Sequence, residues 1–496
     1  MKKIVLLGAV LQCGQCVYAA DDTSIRLNQE ISQQQYQNDK KLLKSEDPKN
    51  TQALPNLIIQ GQEYVVKDEP AEVAYALYLA VMQKQWQVAL SYLEKYKKFP
   101  NYDQALTEFA EGVMARTQGN LSLAESKLKH SLEIQSNNLM TQLELARVYT
   151  EQQKNQQGQQ LFQHIQSQLA LSTDPAAQGI GQTVEMYLKG LKQRDEWHGS
   201  LAFGSRYASN INNASDKYDI ITYYGIDPVT KEVVPVEQLK RGTPDAISAQ
   251  GLDYEATLTK RWSLSGQHGI ALRGLFYGQV YPEQTDYNEL TFNLNAGYSY
   301  YNERNQVLIA PVFEHKYYAH DPLYSAYGLR GEWMRFISND KAVKLEAEMK
   351  DINYSQYKGQ DGVEYSVYST FWKILPRNWT LFGELDFVDH NTQEQYFTAY
   401  QQQGIRLGLS KNFDSGFNAN LFSSFRWRQF DKFTPVLEAR RHDFEQNYTL
   451  ILSAPRWAFY GLTPNLTYQY NQNNSNVEWL YSYDKHNVSL KLEHRF

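Results

Sequence analysis

The chain has 496 residues, with 49 basic and 55 acidic side chains and a net charge of −6. That length suits two or three domains, and the missing basic surplus argues against a nucleic-acid-binding protein. A mean hydropathy of −0.60 excludes a bundle of membrane helices, and beyond the first 20 residues no run nears the roughly 20 apolar residues a spanning helix needs. Aromatic side chains are uneven: residues 1–196 hold 14 of them and residues 197–496 hold 53. The chain therefore has two physically different halves, joined near Trp197.

Lys2 and Lys3 precede the apolar run Ile4 to Leu11, and Val17-Tyr18-Ala19-Ala20 supplies small residues for a signal peptidase. Residues 1–20 read as a Sec signal peptide. Cys13 and Cys16, the two cysteines, precede the expected cut, which leaves the mature chain without a thiol, a disulfide or a Cys-based metal site. Residues 21–56 are rich in Gln, Asn and Lys with sparse apolar positions, and read as a flexible polar lead-in with room for some helix.

Over residues 57–196, small and bulky side chains return at a fixed distance. Leu77, Ala80, Ala89 and Leu93 are followed by Gly112, Ala115, Ala124 and Leu128, and then by Ala146, Tyr149, Gly158 and Phe162. A step of 34 to 35 residues, with small residues where two helices cross, is the tetratricopeptide (TPR) pattern. In that register the first helix of each repeat lines a concave surface carrying Tyr78, Phe109, Val113, Arg116, Leu143 and Arg147. These side chains either meet an extended peptide or helix of a partner, or pack on a capping helix.

Residues 197–496 alternate with period two. Leu252, Tyr254, Ala256, Leu258 and Trp262 interleave with Asp253, Glu255, Thr257, Thr259 and Arg261. Leu290, Phe292, Leu294 and Tyr298 interleave with Thr291, Asn293, Asn295 and Ser299; Val488, Leu490, Leu492 and Phe496 interleave with Asn487, Ser489, Lys491, Glu493 and Arg495. Charges on the second face of so many strands do not make a dry sandwich core; they suit a polar lumen inside an apolar, lipid-facing wall. Segments centre near residues 203, 256, 274, 293, 311, 330, 347, 369, 384, 405, 423, 448, 464 and 490, which makes fourteen. Those at 311, 330 and 464 alternate poorly. Every second connection is tight, such as Asn302-Glu303-Arg304 and Ser338-Asn339-Asp340, whereas the others are mostly longer, led by residues 209–249. Short turns on one side and loops on the other are the mark of an outer-membrane barrel with both termini in the periplasm. The expected fold is thus an all-α TPR-like domain followed by a 14-stranded antiparallel transmembrane β-barrel.

Catalytic groups were sought among the carboxylate and His neighbours: Asp386, Asp389 and His390; Asp484 and His486; His320-Asp321; His442-Asp443. None adds a nucleophile motif such as G-x-S-x-G, and convergence of nucleophile, base and acid is what a hydrolase needs. Apart from His315 and His320, at H-x₄-H spacing beside Glu314 and Asp321, the His residues are scattered, and no metal site is expected. The expectation is a protein that is not an enzyme and carries no cofactor.

Signal peptide, short TPR-like domain and fourteen-strand barrel together resemble the surface lipoprotein assembly modulators, the Slam family, over essentially the whole mature chain. Tyr207-Ala208-Ser209-Asn210-Ile211-Asn212-Asn213-Ala214 looks like that family's Asn-Ile-Asn segment, at the end of the first barrel strand. Phe496, with Leu492 and Leu490 in its phase, resembles the last-strand signal read by the barrel-assembly machinery of Gram-negative bacteria. The resemblance implies an outer-membrane translocator that moves a client lipoprotein or a secreted haem-binding protein out of the periplasm. Periplasmic chaperones, the barrel-assembly machinery and outer-membrane lipid are its further implied partners. A TPR-barrel exopolysaccharide exporter, or a porin or receptor with a periplasmic binding domain, remains the alternative.

Overall fold

The structure, a computed structural model, describes residues 21–43, 57–59, 62–64, 66–170 and 175–496. The signal-peptide reading of residues 1–20 lies outside the described residues. The first element is α1 (Asp21–Leu43), followed by a small hairpin of β1 (Leu57–Ile59) and β2 (Gln62–Tyr64).

Three helical hairpins come next: α2 (Pro70–Met82) with α3 (Trp86–Tyr96), α4 (Gln104–Thr117) with α5 (Leu121–Ile134), and α6 (Leu139–Glu151) with α7 (Asn155–Leu169). Their starts follow local chemistry. Pro70 opens α2, where its missing N–H costs nothing. The Asp103 carboxylate accepts from the Ala105 N–H at 2.8 Å, and the Asn138 side chain accepts from the Thr141 N–H at 3.1 Å, each satisfying an orphan donor of the first turn. The small residues stand where the period placed them: a Cβ on Gly112 would come within 2.7 Å of Leu128 Cγ, and Leu128 is fully buried. A last helix, α8 (Pro175–Arg194), covers the open end of the third hairpin with Val184, Tyr187 and Leu191. Tyr187 stacks on Phe162 at 4.9 Å between ring centroids.

Three residues after α8 the chain enters the barrel. Its strands are β3 (His198–Ala208) and β6 to β18: Ala249–Ser263, His268–Val280, Glu289–Tyr301, Asn305–Tyr318, Asp321–Ser338, Lys341–Tyr354, Gly362–Leu375, Trp379–Thr392, Tyr400–Asn412, Asn418–Thr434, Ala439–Ser453, Leu462–Ser475 and Tyr483–Arg495. All fourteen expected centres fall inside these strands. The sheet is antiparallel and closed, with β18 paired to β3. At that seam Gly204 brings two backbones together, since a Cβ there would sit 1.9 Å from the Leu490 carbonyl oxygen. The remaining strands, β4 (Tyr218–Ile226) and β5 (Val233–Gly242), form an outer hairpin, in a stretch expected only to be a long loop.

Alternation sorts the side chains as expected. Leu201, Phe203, Leu252, Leu385 and Leu490 lie on the outer face, 51–60% exposed, where lipid covers them in an outer-membrane barrel. Asp253, Asn295, Arg330, Glu384 and Arg426 face inward and are buried. Poor alternation near residue 330 has a local cause: Met334 faces inward and joins Ala342, Trp372 and Phe382 in an apolar cluster on the inner wall.

Candidate functional site

Most barrel strands contribute inward charges to the lumen wall, β17 alone having none, and many of these charges are paired. On β7, β10 and β11 a continuous network runs along the wall. Arg273 meets Glu332 at 2.7 Å, Arg330 meets Glu332 at 2.6 Å and Glu346 at 2.8 Å, and Lys344 bridges Glu332 and Glu346. Lys350 continues it to Glu348 and Glu364, each at 3.3 Å. Elsewhere Arg406 meets Glu384 at 2.8 Å, and Lys491 meets Glu255 at 2.8 Å. Such a wall offers polar groups of both signs with no excess of either.

The stretch read as a polar lead-in with room for some helix is, over Asp21–Leu43, a single helix, and its residues Arg26 to Ser32 lie inside this lumen. Arg26 forms an ion pair with Glu255 on β6 at 2.8 Å, while the Gln29 amide donates to Glu384 on β13. Those two strands are seven places apart in the fourteen-strand ring, so α1 bridges opposite walls. Arg273 donates to Asn28 Oδ1 at 3.3 Å, and Lys344 donates to Ser32 Oγ at 3.0 Å. Leu27 and Ile31 pack with Leu275 and Tyr277 of β7. The correction has a physical reason. A Gln- and Asn-rich helix has too little apolar surface to join a soluble core, but a charged lumen supplies the polar partners it needs.

At the periplasmic rim the repeat domain docks on the β6–β7 turn. Asn155 donates to Asp195 at 3.1 Å and to Ser263 at 3.2 Å; Ser263 donates to Asp195 at 2.8 Å; Gln267 donates to the Gln152 carbonyl at 3.0 Å. Beside this contact lies a cleft of about 630 Å³, lined by Lys189, Arg194, Trp197, Lys260, Tyr301 and Phe496 among others. It joins the repeat domain to the barrel mouth.

The expected concave groove is not open. Phe109, Val113 and Leu143 are 4, 5 and 3% exposed and belong to the cores. Tyr78 is half-buried, its ring centroid 6.3 Å from that of Phe109. Arg116 pairs with Glu144 at 3.0 Å and Glu151 at 2.6 Å, and Arg147 pairs with Glu144 at 2.6 Å. The first helices of adjacent repeats stand close enough for these side chains to tie α2 to α4 and α4 to α6. Of the two readings these side chains left open, the structure has them in inter-repeat packing, with Phe109, Val113 and Leu143 buried and Tyr78, Arg116 and Arg147 partly exposed.

On the outer side, the Asn segment folds the first loop back over the rim. Asn210 accepts from the Ala214 N–H at 2.8 Å and donates to the Asp484 carbonyl of β18 at 3.1 Å. Asn212 accepts from the Ile247 N–H at 2.9 Å, Ile211 is buried beside Ala208 and Tyr281, and Asn213 takes a left-handed φ of 49°. Asn tolerates that region through its short polar side chain. At the chain end, Leu490 pairs across the seam with Ser205 and Leu492 with Phe203, while Phe496 exchanges backbone hydrogen bonds with Gly199 at 3.0 and 3.1 Å. The His–carboxylate neighbours are dispersed: His390 lies 3.4 Å from Glu364 inside the barrel, and His486 lies 3.8 Å from Asp484 at its outer end. Among the described residues no cluster of three or more His, Cys, Asp and Glu is arranged to hold a metal ion.

The helix in the lumen and the β4–β5 hairpin are what the sequence reading missed. For the hairpin a signal exists: Asp227-Pro228-Val229-Thr230-Lys231 separates two β-branched and aromatic runs, and Asp227 accepts from the Val229 and Thr230 N–H groups at 2.7 and 3.0 Å. That is an Asx-stabilised turn.

Residues 197–496 match the family described as Surface lipoprotein assembly modifier, and residues 59–162 match its N-terminal TPR repeats. The chain is 54% identical over 498 residues to a Hemophilin secretion modulator of Acinetobacter baumannii, covering all of both chains. It is 24% identical to Surface lipoprotein assembly modifier 1 of Haemophilus influenzae over 92% of each chain. With Surface lipoprotein assembly modifier 1 of Neisseria meningitidis serogroup B it shares 22% over 88% of this chain and 86% of that one. A repeat domain docked on a fourteen-strand outer-membrane barrel, matched along nearly its whole length, makes this chain a member of the surface lipoprotein assembly modifier family.

Proposed function

We propose that the protein is an outer-membrane translocator that receives an unfolded client in the periplasm and threads it through the barrel lumen to the outside. The observation that carries this is a charged, pair-neutralised lumen opening beside a docked repeat domain. The lumen holds one helix across its width, and a helix with side chains is about 10–12 Å across. That calibre suits a single extended or helical chain and excludes a folded domain. The seam between β3 and β18 is paired along its length and closed at the rim by Gly199 and Phe496, which favours the lumen over a route between strands.

The client is a secreted haem-binding protein of the hemophilin kind. Support comes from the much higher identity to the Hemophilin secretion modulator than to the lipoprotein assembly modifiers. The cleft at the rim, with Lys189, Arg194, Trp197 and Lys260, is the receiving surface in this reading, in place of the buried groove. Chaperones hold the client unfolded on the periplasmic side, the barrel-assembly machinery inserts the barrel, and transport makes and breaks no covalent bond. An anionic polysaccharide would call for a basic excess along the wall, whereas here each cluster of bases is met by acids.

Deleting the gene tests this. The client is expected to remain in the periplasm at similar total level, and to vanish from the medium. Unchanged export of every secreted and surface protein would overturn the reading.

A further inference from the structure

We propose that α1 is a resident stopper: it seals the lumen at rest and has to leave it for a client to pass. Three features of the geometry carry this. The first is obstruction. Arg26 and Gln29 hold strands on opposite sides of the ring, β6 and β13, and Asn28 and Ser32 reach β7 and β11 between them. The gaps beside the helix are about 70 Å³ near Glu255, about 40 Å³ near Arg330 and about 10 Å³ near Arg406. A water occupies about 30 Å³ of liquid, so these spaces hold a few waters and no peptide.

The second feature is that the contacts are exchangeable. Each of the four charged wall groups that Arg26, Gln29, Asn28 and Ser32 meet also has a partner on the wall. Glu255 keeps Lys491, Glu384 keeps Arg406 and Thr370, Arg273 keeps Glu332, and Lys344 keeps Glu332 and Glu346. Withdrawing the helix therefore leaves none of these four charges stranded, which is the event that makes removal of one member of an ion pair costly. The apolar contact is small, Leu27 and Ile31 on Leu275 and Tyr277. A permanent structural plug would instead be the sole partner of the groups it meets, or bury a broad apolar face.

The third feature is the attachment. α1 adjoins α8, the helix that lines the rim cleft. A chain that docks in that cleft meets α8, the helix that α1 touches, so occupancy of the cleft and withdrawal of α1 are coupled through α8. The polar, pair-neutralised path that α1 vacates is then the path offered to the client.

Two measurements on the full-length protein test the two halves separately. The sealing half needs no client: purified protein is placed in planar lipid bilayers and compared with a variant lacking residues 21–43. The full chain is expected to be nearly silent, and the deletion to raise steady ion conductance about tenfold or more, as an emptied polar lumen conducts. A second variant, Arg26→Glu, is expected to flicker open, and Glu255→Arg in the same chain to quiet it again. Equal conductance of full chain and deletion would overturn the seal. The displacement half rests on the transport reading. Cysteines at Leu27 and Leu275, in a mature chain expected to have no other, are joined in cells by a short reducible bis-thiol crosslinker. Export of the co-expressed client is expected to stop on linking and return on reduction. Export undiminished by the link would overturn displacement. A deletion that conducts while the unlinked full chain exports no client would leave the seal standing and remove the transport reading.

Discussion

Phe109 and Arg116 show how one position changes meaning once its neighbours are known. Both fall on the inner helix of a repeat, yet Phe109 is 4% exposed against Tyr78 and Arg116 is locked by Glu144 and Glu151. Truncating a buried Phe costs about 3–5 kcal/mol. Phe109→Ala is therefore expected to lower the melting temperature of the helical signal and expose the repeat domain to protease, while the barrel stays intact. Unchanged melting would return Phe109 to the role of a surface contact. Charge works the same way nearby. Burial opposes ionisation of Glu111, but hydrogen bonds from Lys127 and Lys97 outweigh it and hold the carboxyl below its ordinary value of 4.5. Glu125 is lowered likewise by Lys129 and Lys154 against burial. A lowered carboxyl stabilises the fold above its unfolded value and loses that contribution as pH falls through the folded one. The repeat domain is thus expected to keep constant stability from pH 8 to about 5 and to weaken below about 4.5, read by acid titration of its helical signal. Lys127→Met removes a donor to Glu111 and is expected to flatten that acid limb.

Helix pairs and strands differ in how much of their structure they announce. In the repeats the small residues carried the signal because close crossing leaves no alternative: Gly112 faces the buried Leu128. Gly112→Val overpacks that crossing and is expected to cost about 1–3 kcal/mol, measured as a shifted denaturant midpoint of the helical transition. In the barrel, period two was legible because lipid and lumen impose opposite chemistry on the two faces. It weakened near residue 330, where Met334 faces inward among Ala342, Trp372 and Phe382. The β4–β5 hairpin escaped for the opposite reason. Ile220, Tyr224, Ile226, Val233 and Val236 are all exposed, so no buried face enforces alternation on it.

The closed ring and the docked repeat domain set the behaviour of the whole molecule. A barrel with every strand edge paired resists detergent at room temperature, so the protein is expected to fractionate with the outer membrane and to migrate faster on gels when unboiled. Migration that does not change on boiling would contradict a closed ring. The lumen route adds a sharper expectation. Cysteines replacing Ser205 and Leu490, which are partners across the β3–β18 seam on the lipid side, lock the ring on oxidation. Export through the lumen is expected to continue at an undiminished rate, whereas loss of export on locking would favour passage between strands.

Some of this was fixed before any folding. Alternation, turn parity and the 34-residue period are local, and each follows from what a lipid face, a tight turn or a helix crossing permits. Asn210 to Asn213 were visible as a segment, and Leu490, Leu492 and Phe496 as one outward phase. Only the tertiary structure decided that Asn210 clasps the last strand, that Phe109, Val113 and Leu143 are interior, and that residues 21–43 form a helix across the lumen. The first and last depend on partners hundreds of residues away, Asp484 for Asn210, Glu255 for Arg26 and Glu384 for Gln29, and the second on helices one repeat away. A polar helix carries no mark of its environment, because water and a charged lumen satisfy the same side chains.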